Sequence, residues 1–150
     1  MFESFFRRYS SFIPIFDPPS TPNFYYARSP LIFWAIIGVA YPSYSISRSF
    51  RESLMPKVYD LAFSRLNPKY ASIPTIEGLL IVLNWPFPFS SLSRDTQFSL
   101  SGGMLHMAMQ MGIHVPLSSQ DFTRVKIKSS ELDVTKRAEL WAHCLLVYER

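Results

Sequence analysis

The sequence predicts an all-α fold, an irregular multi-helix bundle, and three observations carry that expectation. Apolar residues recur at helical spacing in most segments, and no segment alternates polar with apolar as a half-buried strand does. The 12 prolines fall between apolar runs rather than in one tract, as helix punctuation. Hydrophobic residues are 48% and aromatics 16% of 150 residues, enough to fill the core of one domain and too much for a disordered chain.

The elements follow in order. Phe2, Phe5, Phe6 and Tyr9 share one face of a short helix within 2–12. Residues 13–23, "IPIFDPPSTPN", read as an extended Pro-rich connector, because proline lacks the donor that a helix interior needs. Ser29-Pro30 opens the next helix: serine caps free N–H groups, and proline at the first position loses none. "LIFWAIIGVAY", Leu31–Tyr41, is apolar all round and therefore central, with Pro42 as its stop. Ser47–Leu66 reads as helix with a Met55, Tyr59, Ala62, Leu66 stripe, kinked or split at Pro56. "TIEGLLIVLNW" follows with Thr75 as cap; Leu79–Leu83 fits a buried strand equally by periodicity, but its helical neighbours favour helix. Asp95 caps a helix running to about Met111, which Gly112 ends. Residues 116–129 form a polar loop. Ser130 with Asp133 opens the last helix in capping-box fashion, and Val134, Ala138, Trp141, Leu145 and Tyr148 form its buried stripe. Trp34, Trp85 and Trp141 are the expected core anchors.

Composition bounds the function. One cysteine, Cys144, excludes an internal disulfide and any zinc cluster built from this chain's own thiolates, and fits a reducing compartment. The net charge of +4 is spread without a dense basic run, so a solvated face is preferred to a nucleic-acid or membrane patch. The longest apolar run falls short of the roughly 20 residues that span a bilayer. The first twelve residues lack the pattern of a secretory signal.

"GGMLHMAMQMGIHVP", Gly102–Pro116, is the stretch that most invites a chemical reading. Met104, Met107 and Met111 line one helical face; Leu105, Ala108 and Gly112 line the next. A helix apolar on both faces is a core helix, where unbranched methionine fills irregular gaps. A small-molecule pocket, with Met104, Met107, Met111 and Gly103 as one wall, is the second reading; a thioether metal site is the third. His106 and His114 lie on opposite sides of the helix end, and His143 and Cys144 diverge, so no four ligands converge. His114 reads as a capping donor and Cys144 as an inert core thiol. No phosphate loop, serine elbow or carboxylate pair is present, with Glu77 the one acid set among apolar neighbours. No metal site, cofactor or catalytic residue is expected.

Five stretches in order, "FFRRYSSFIPIFD", "SPLIFWAIIGVA", "TIEGLLIVLNWPFP", "GMLHMAMQMGIHVP" and "RAELWAHCLLVYER", resemble the middle homology region of fungal zinc-cluster transcription factors. The resemblance implies a helical regulatory domain in the nucleus that restrains or licenses activation, in some members on binding a metabolite. It implies no enzymatic activity. Expected partners are a small-molecule effector, a homo- or hetero-dimer with related factors, and the transcription machinery through a longer protein. The family binds DNA through a six-cysteine zinc module, which one cysteine cannot build, so direct DNA binding is not expected of this chain, nor is a membrane partner. Two further departures are Val115, where the family carries a basic residue, and Glu77, where glutamine is common. On this resemblance residues 1–150 are a single partial regulatory domain, still helical at Arg150. The alternative is a truncated paralogue acting as a helical interaction scaffold; an orphan metabolite-processing enzyme is a weaker third, for want of converging polar groups.

Overall fold

The computed structural model describes residues 1–16, 21–40, 48–86, 94–122 and 131–150. Among these residues the fold is all-α, with seven α-helices, three 3₁₀ segments and no strand.

Two helices make the centre. α3 spans Pro30–Ala40 and α5 spans Ile73–Asn84. Ser29 caps α3 as its sequence predicts, its Oγ accepting the Ile32 N–H at 3.5 Å. α5 begins earlier than expected. Ser72, not Thr75, is its cap, accepting the Thr75 N–H at 3.3 Å. Thr75 lies inside the first turn and donates its hydroxyl to the Tyr70 carbonyl at 2.7 Å. The reason is Pro74, which costs no hydrogen bond in a first turn and so need not precede the helix. α5 is buried continuously from Thr75 to Leu83. α3 packs along it, and Gly78 lets the two backbones approach. A Cβ at Gly78 would stand 2.8 Å from Leu31 Cγ and 3.2 Å from the Ile32 backbone nitrogen.

The other helices surround this pair. α1, Phe2–Arg8, presents the expected aromatic face, with Phe5 fully buried. A 3₁₀ turn, Ser10–Phe12, follows it. α2, Pro22–Arg28, is a correction. The connector expected over 13–23 runs into a helix at Pro22, because Thr21 caps it, accepting the Phe24 N–H at 3.3 Å, and proline occupies its first turn. Proline density argued for extended chain, whereas a Thr-Pro pair starts a helix. α4, Arg48–Arg65, continues through Pro56 as one helix, and Met55, Tyr59 and Ala62 are buried as their spacing predicts, with Leu66 half-buried beyond its end. The stop at Pro42 lies outside the described residues.

α6, Arg94–Gln110, starts one residue before its expected cap, so Asp95 falls within the first turn. Its end is a Schellman turn. Gly112 has φ 68°, its N–H reaches the Met109 carbonyl at 2.9 Å, and the Ile113 N–H reaches the Ala108 carbonyl at 3.0 Å. Ile113 and Ala108, the apolar pair that closes such a turn, are both fully buried. The expected polar loop 116–129 opens as a 3₁₀ turn, Pro116–Phe122; 123–129, like the Ser130 cap, lies outside the described residues.

α7, Glu131–Tyr148, buries a different line from the one expected. Leu140, Cys144 and Val147 face the core, while Ala138 and Tyr148 are exposed and Val134, Trp141 and Leu145 are half-buried. The two lines are one residue, about 100°, apart on the helix. Both are apolar enough to satisfy the periodicity, and only packing against α5 and α6 chooses between them.

Two predictions follow from the packing. Gly78→Ala lowers stability by about 1–3 kcal/mol despite alanine's better helix propensity, since the added methyl overpacks the α3–α5 contact. Gly102→Ala, where an added Cβ meets nothing within 4 Å, raises it by about 0.5–1 kcal/mol. Opposite shifts in urea midpoint check this. On α7, Leu140→Ala costs about 2–5 kcal/mol and Ala138→Gln stays within about 0.5 kcal/mol; equal costs would restore the stripe through Ala138.

Candidate functional site

The methionine helix is α6. Leu100, Met104, Met107 and Ala108 are buried, Leu105 and Met111 are half-buried, and Met109 is on the surface. Gly103 does permit a close approach, and an internal side chain takes it. A Cβ there would stand 2.7 Å from Leu66 Cδ1, at the end of α4. Met104 and Met107 pack as part of the core formed with α3, α4, α5 and α7, and Met111 lies against it.

The histidines are scattered. His106 is exposed on α6. His114 does not cap the helix, because the Gly112 and Ile113 backbone already serves those carbonyls. Its ring lies edge-on to Phe122 at 5.1 Å and against Trp141 at 5.9 Å, and its Nδ1 is buried without a hydrogen-bond partner. His143 on α7 has its pKa lowered by burial, with the Glu139 carboxylate opposing the shift. Cys144 beside it is fully buried, and burial pushes its thiol up to about 12. Among the described residues no three of His, Cys, Asp and Glu converge as a metal site would require. No helix among them is long and apolar enough to cross a membrane.

The anchors differ in kind. Trp85, at the end of α5, stands edge-on to Phe5 and Tyr9 at 5.9 and 5.3 Å. It ties α1 to the centre within a cluster that also holds Phe6, Phe16 and Tyr25. Trp141 packs beside His114. Trp34 on α3 is half-buried, and one face of it lines a cavity.

That cavity has the dimensions of a small-molecule site. It lies between α3 and α4 and holds about 450 Å³. Leu54 and Val58, both buried, are its floor, and Trp34, Leu61 and the exposed Phe50 its walls. Ser53 and Lys57, one turn apart on α4, are exposed and stand at its mouth. None of Met104, Met107, Met111 or Gly103 lines it. The sequence held a signal for this site: Phe50, Leu54, Lys57 and Leu61 form a second 4-3-4 stripe on α4 beside the buried one.

Glu77 proves to be the buried half of an ion pair. It is 3% exposed on α5 and accepts from Arg28 Nη2 of α2 at 2.9 Å. The partner is 49 residues away, on the helix that proline density concealed.

Comparison with characterised proteins gives two relatives. The chain is 26% identical, over 98% of its length, to 18% of Regulatory protein LEU3 of Saccharomyces cerevisiae. It is 24% identical, over 94% of its length, to 13% of Putative transcription factor SEF1 of Kluyveromyces lactis. The chain thus spans less than a fifth of either relative. No family model matches the chain, and no solved structure matches it. The likeness agrees with the resemblance seen in the sequence: one relative is named a regulatory protein and the other a putative transcription factor.

Iodoacetamide should leave Cys144 unmodified in the folded chain and alkylate it fully in denaturant, as mass spectrometry would show. Native labelling at the rate of a free thiol would mean that α7 does not pack as described.

Proposed function

We infer that the chain is a regulatory domain of a fungal transcription regulator and modulates activation from within a longer nuclear protein. What supports the reading is continuity: the likeness to two transcription regulators runs along nearly the whole chain, through the helices that form its core. An all-helical body, with no three metal-ligating side chains converging among the described residues, suits a domain that acts by packing and release rather than by chemistry. DNA contact belongs to another part of such a protein, since the thiolates of a zinc cluster are not in this chain. Control by a small metabolite, and pairing with related factors, are parts of the same proposal. The methionine face of α6 (Met104, Met107, Met111, with Gly103) then acts through the core, as a pliable surface against which the surrounding helices shift.

The test is a reporter in yeast. The 150-residue chain is placed between a heterologous DNA-binding module and an activation segment, against a polar linker of equal length. The expected result is several-fold lower output with the chain, restored by Leu80→Asp, which puts a charge into the centre of α5. Output equal to that of the linker would sink the regulatory reading.

A further inference from the structure

We propose that the cavity between α3 and α4 is a binding site for a small apolar anion, with the apolar body between Trp34 and Leu61 and the anionic group at Lys57. Three features of the cavity carry this. Its volume of about 450 Å³ lies within the range of small-molecule sites and is far above that of a packing defect. Its lining is apolar except at one place. Floor and walls are Trp34, Leu54, Val58, Leu61 and Phe50, which offer no hydrogen-bonding group apart from the Trp34 indole N–H. The polar groups are gathered at the mouth, where Lys57 is the one charged side chain among the described lining residues and Ser53 adds a hydroxyl one turn away.

That division dictates the ligand. The apolar interior rejects a sugar, a nucleotide or a polycarboxylate, whose polar groups would be buried without partners. The one ammonium among the described lining residues, that of Lys57, selects a negative charge over a neutral or cationic head. Lysine suits the place because its four-carbon stem can lie along the apolar wall while its charge stays in water. Pro56 and Asp60, next to Lys57 on the exposed side of α4, add no second cation, and Asp60 disfavours a doubly charged ligand.

The cavity is also bounded by the central helix. Trp34 sits on α3, whose other faces are held by α2 and α5. A ligand between Trp34 and α4 would therefore brace α4 against the central helix pair. The inference concerns direct binding by the isolated chain and stands whether or not the reporter supports the regulatory reading.

Decanoate, decan-1-ol and decylammonium are the probes, titrated into the ¹⁵N-labelled chain. The indole N–H of Trp34 is assigned by its loss in Trp34→Phe. Decanoate should give a saturable shift of the Trp34 resonance that leaves those of Trp85 and Trp141 in place. Lys57→Gln should weaken decanoate by about three- to five-fold, the weight of an exposed ion pair, and Lys57→Arg should restore it. Decylammonium should bind more weakly than the alcohol. Ser53→Trp, a substitution at an exposed position that blocks the mouth without entering the core, should abolish the shift while the circular-dichroism melt stays unchanged. Three results would overturn the proposal: no saturation at millimolar decanoate, equal binding of all three probes, or a shift indifferent to Ser53→Trp. A chain dimer that Ser53→Trp dissociates and decanoate does not would overturn it too, making the cavity a contact between two copies.

Discussion

The close approach of α3 and α5 at Gly78 is the constraint on which the rest of the structure depends. A methyl group there would collide with Leu31 Cγ and crowd the Ile32 nitrogen, so the helices meet backbone to side chain with no atom to spare. Such an approach fixes the axial position of α5 against α3, not only its distance. It also explains how two helices apolar on nearly all sides can form one centre: each is the other's wall, and the remaining faces are covered by α1 and α2 at one end and by α4, α6 and α7 around the sides. The Schellman turn at Gly112 does the comparable job for α6, folding Ile113 back onto Ala108 so that the chain leaves the helix without exposing its last apolar turn.

From this centre the contrast between two apolar surfaces becomes intelligible. The methionine face of α6 is close-packed, and even the space beside Gly103 is filled by Leu66. The α3–α4 face is not. Leu54 and Val58 reach the core, but Phe50 stays at the surface, and Trp34 is left with an uncovered flank. Methionine adapts to a gap by choice of rotamer, so a methionine-rich interface closes on itself. Tryptophan and phenylalanine are rigid, and rings held at the edges of a helix pair leave a void between them. The stretch richest in unusual residues is therefore the less open of the two.

How much of this was legible in the sequence depended on what fixed each feature. Caps and turns were local, and Ser29-Pro30 and Gly112 could be read directly. The α4 stripe was legible from its spacing, although a second, mostly apolar line through Phe50, Leu54 and Leu61 runs beside it. The orientation of α7 was not, because Ala138 and Leu140 both satisfy helical periodicity and the choice between them is made by α5 and α6, which the pattern within α7 does not contain. α2 was concealed because four prolines in eleven residues suggested extended chain, although Thr21-Pro22 carries the same start signal as Ser29-Pro30. The cavity was half legible: its stripe is in the α4 sequence, but its emptiness is a property of α3 and α4 together.

The pair Arg28–Glu77 shows why a concealed element can still be structurally decisive. α2 has seven residues, too few to be stable alone in water. Apolar contact through Tyr25 holds it to the aromatic cluster, each ring pair being worth about 0.5–1.5 kcal/mol beyond its burial. A charge buried on α5 sets the helix's angle. Desolvating Glu77 makes the pair weak as a source of net stability, because what the attraction returns is largely consumed in removing the carboxylate from water. Losing Arg28 is another matter, for it takes a paired cation from an anion at 3% exposure. The energy surface is thus flat for the pair as a whole and steep for its separation. That is the property required to hold a short helix in one register against the central pair, and it makes α2 an extension of the α3–α5 frame rather than an ornament upon it.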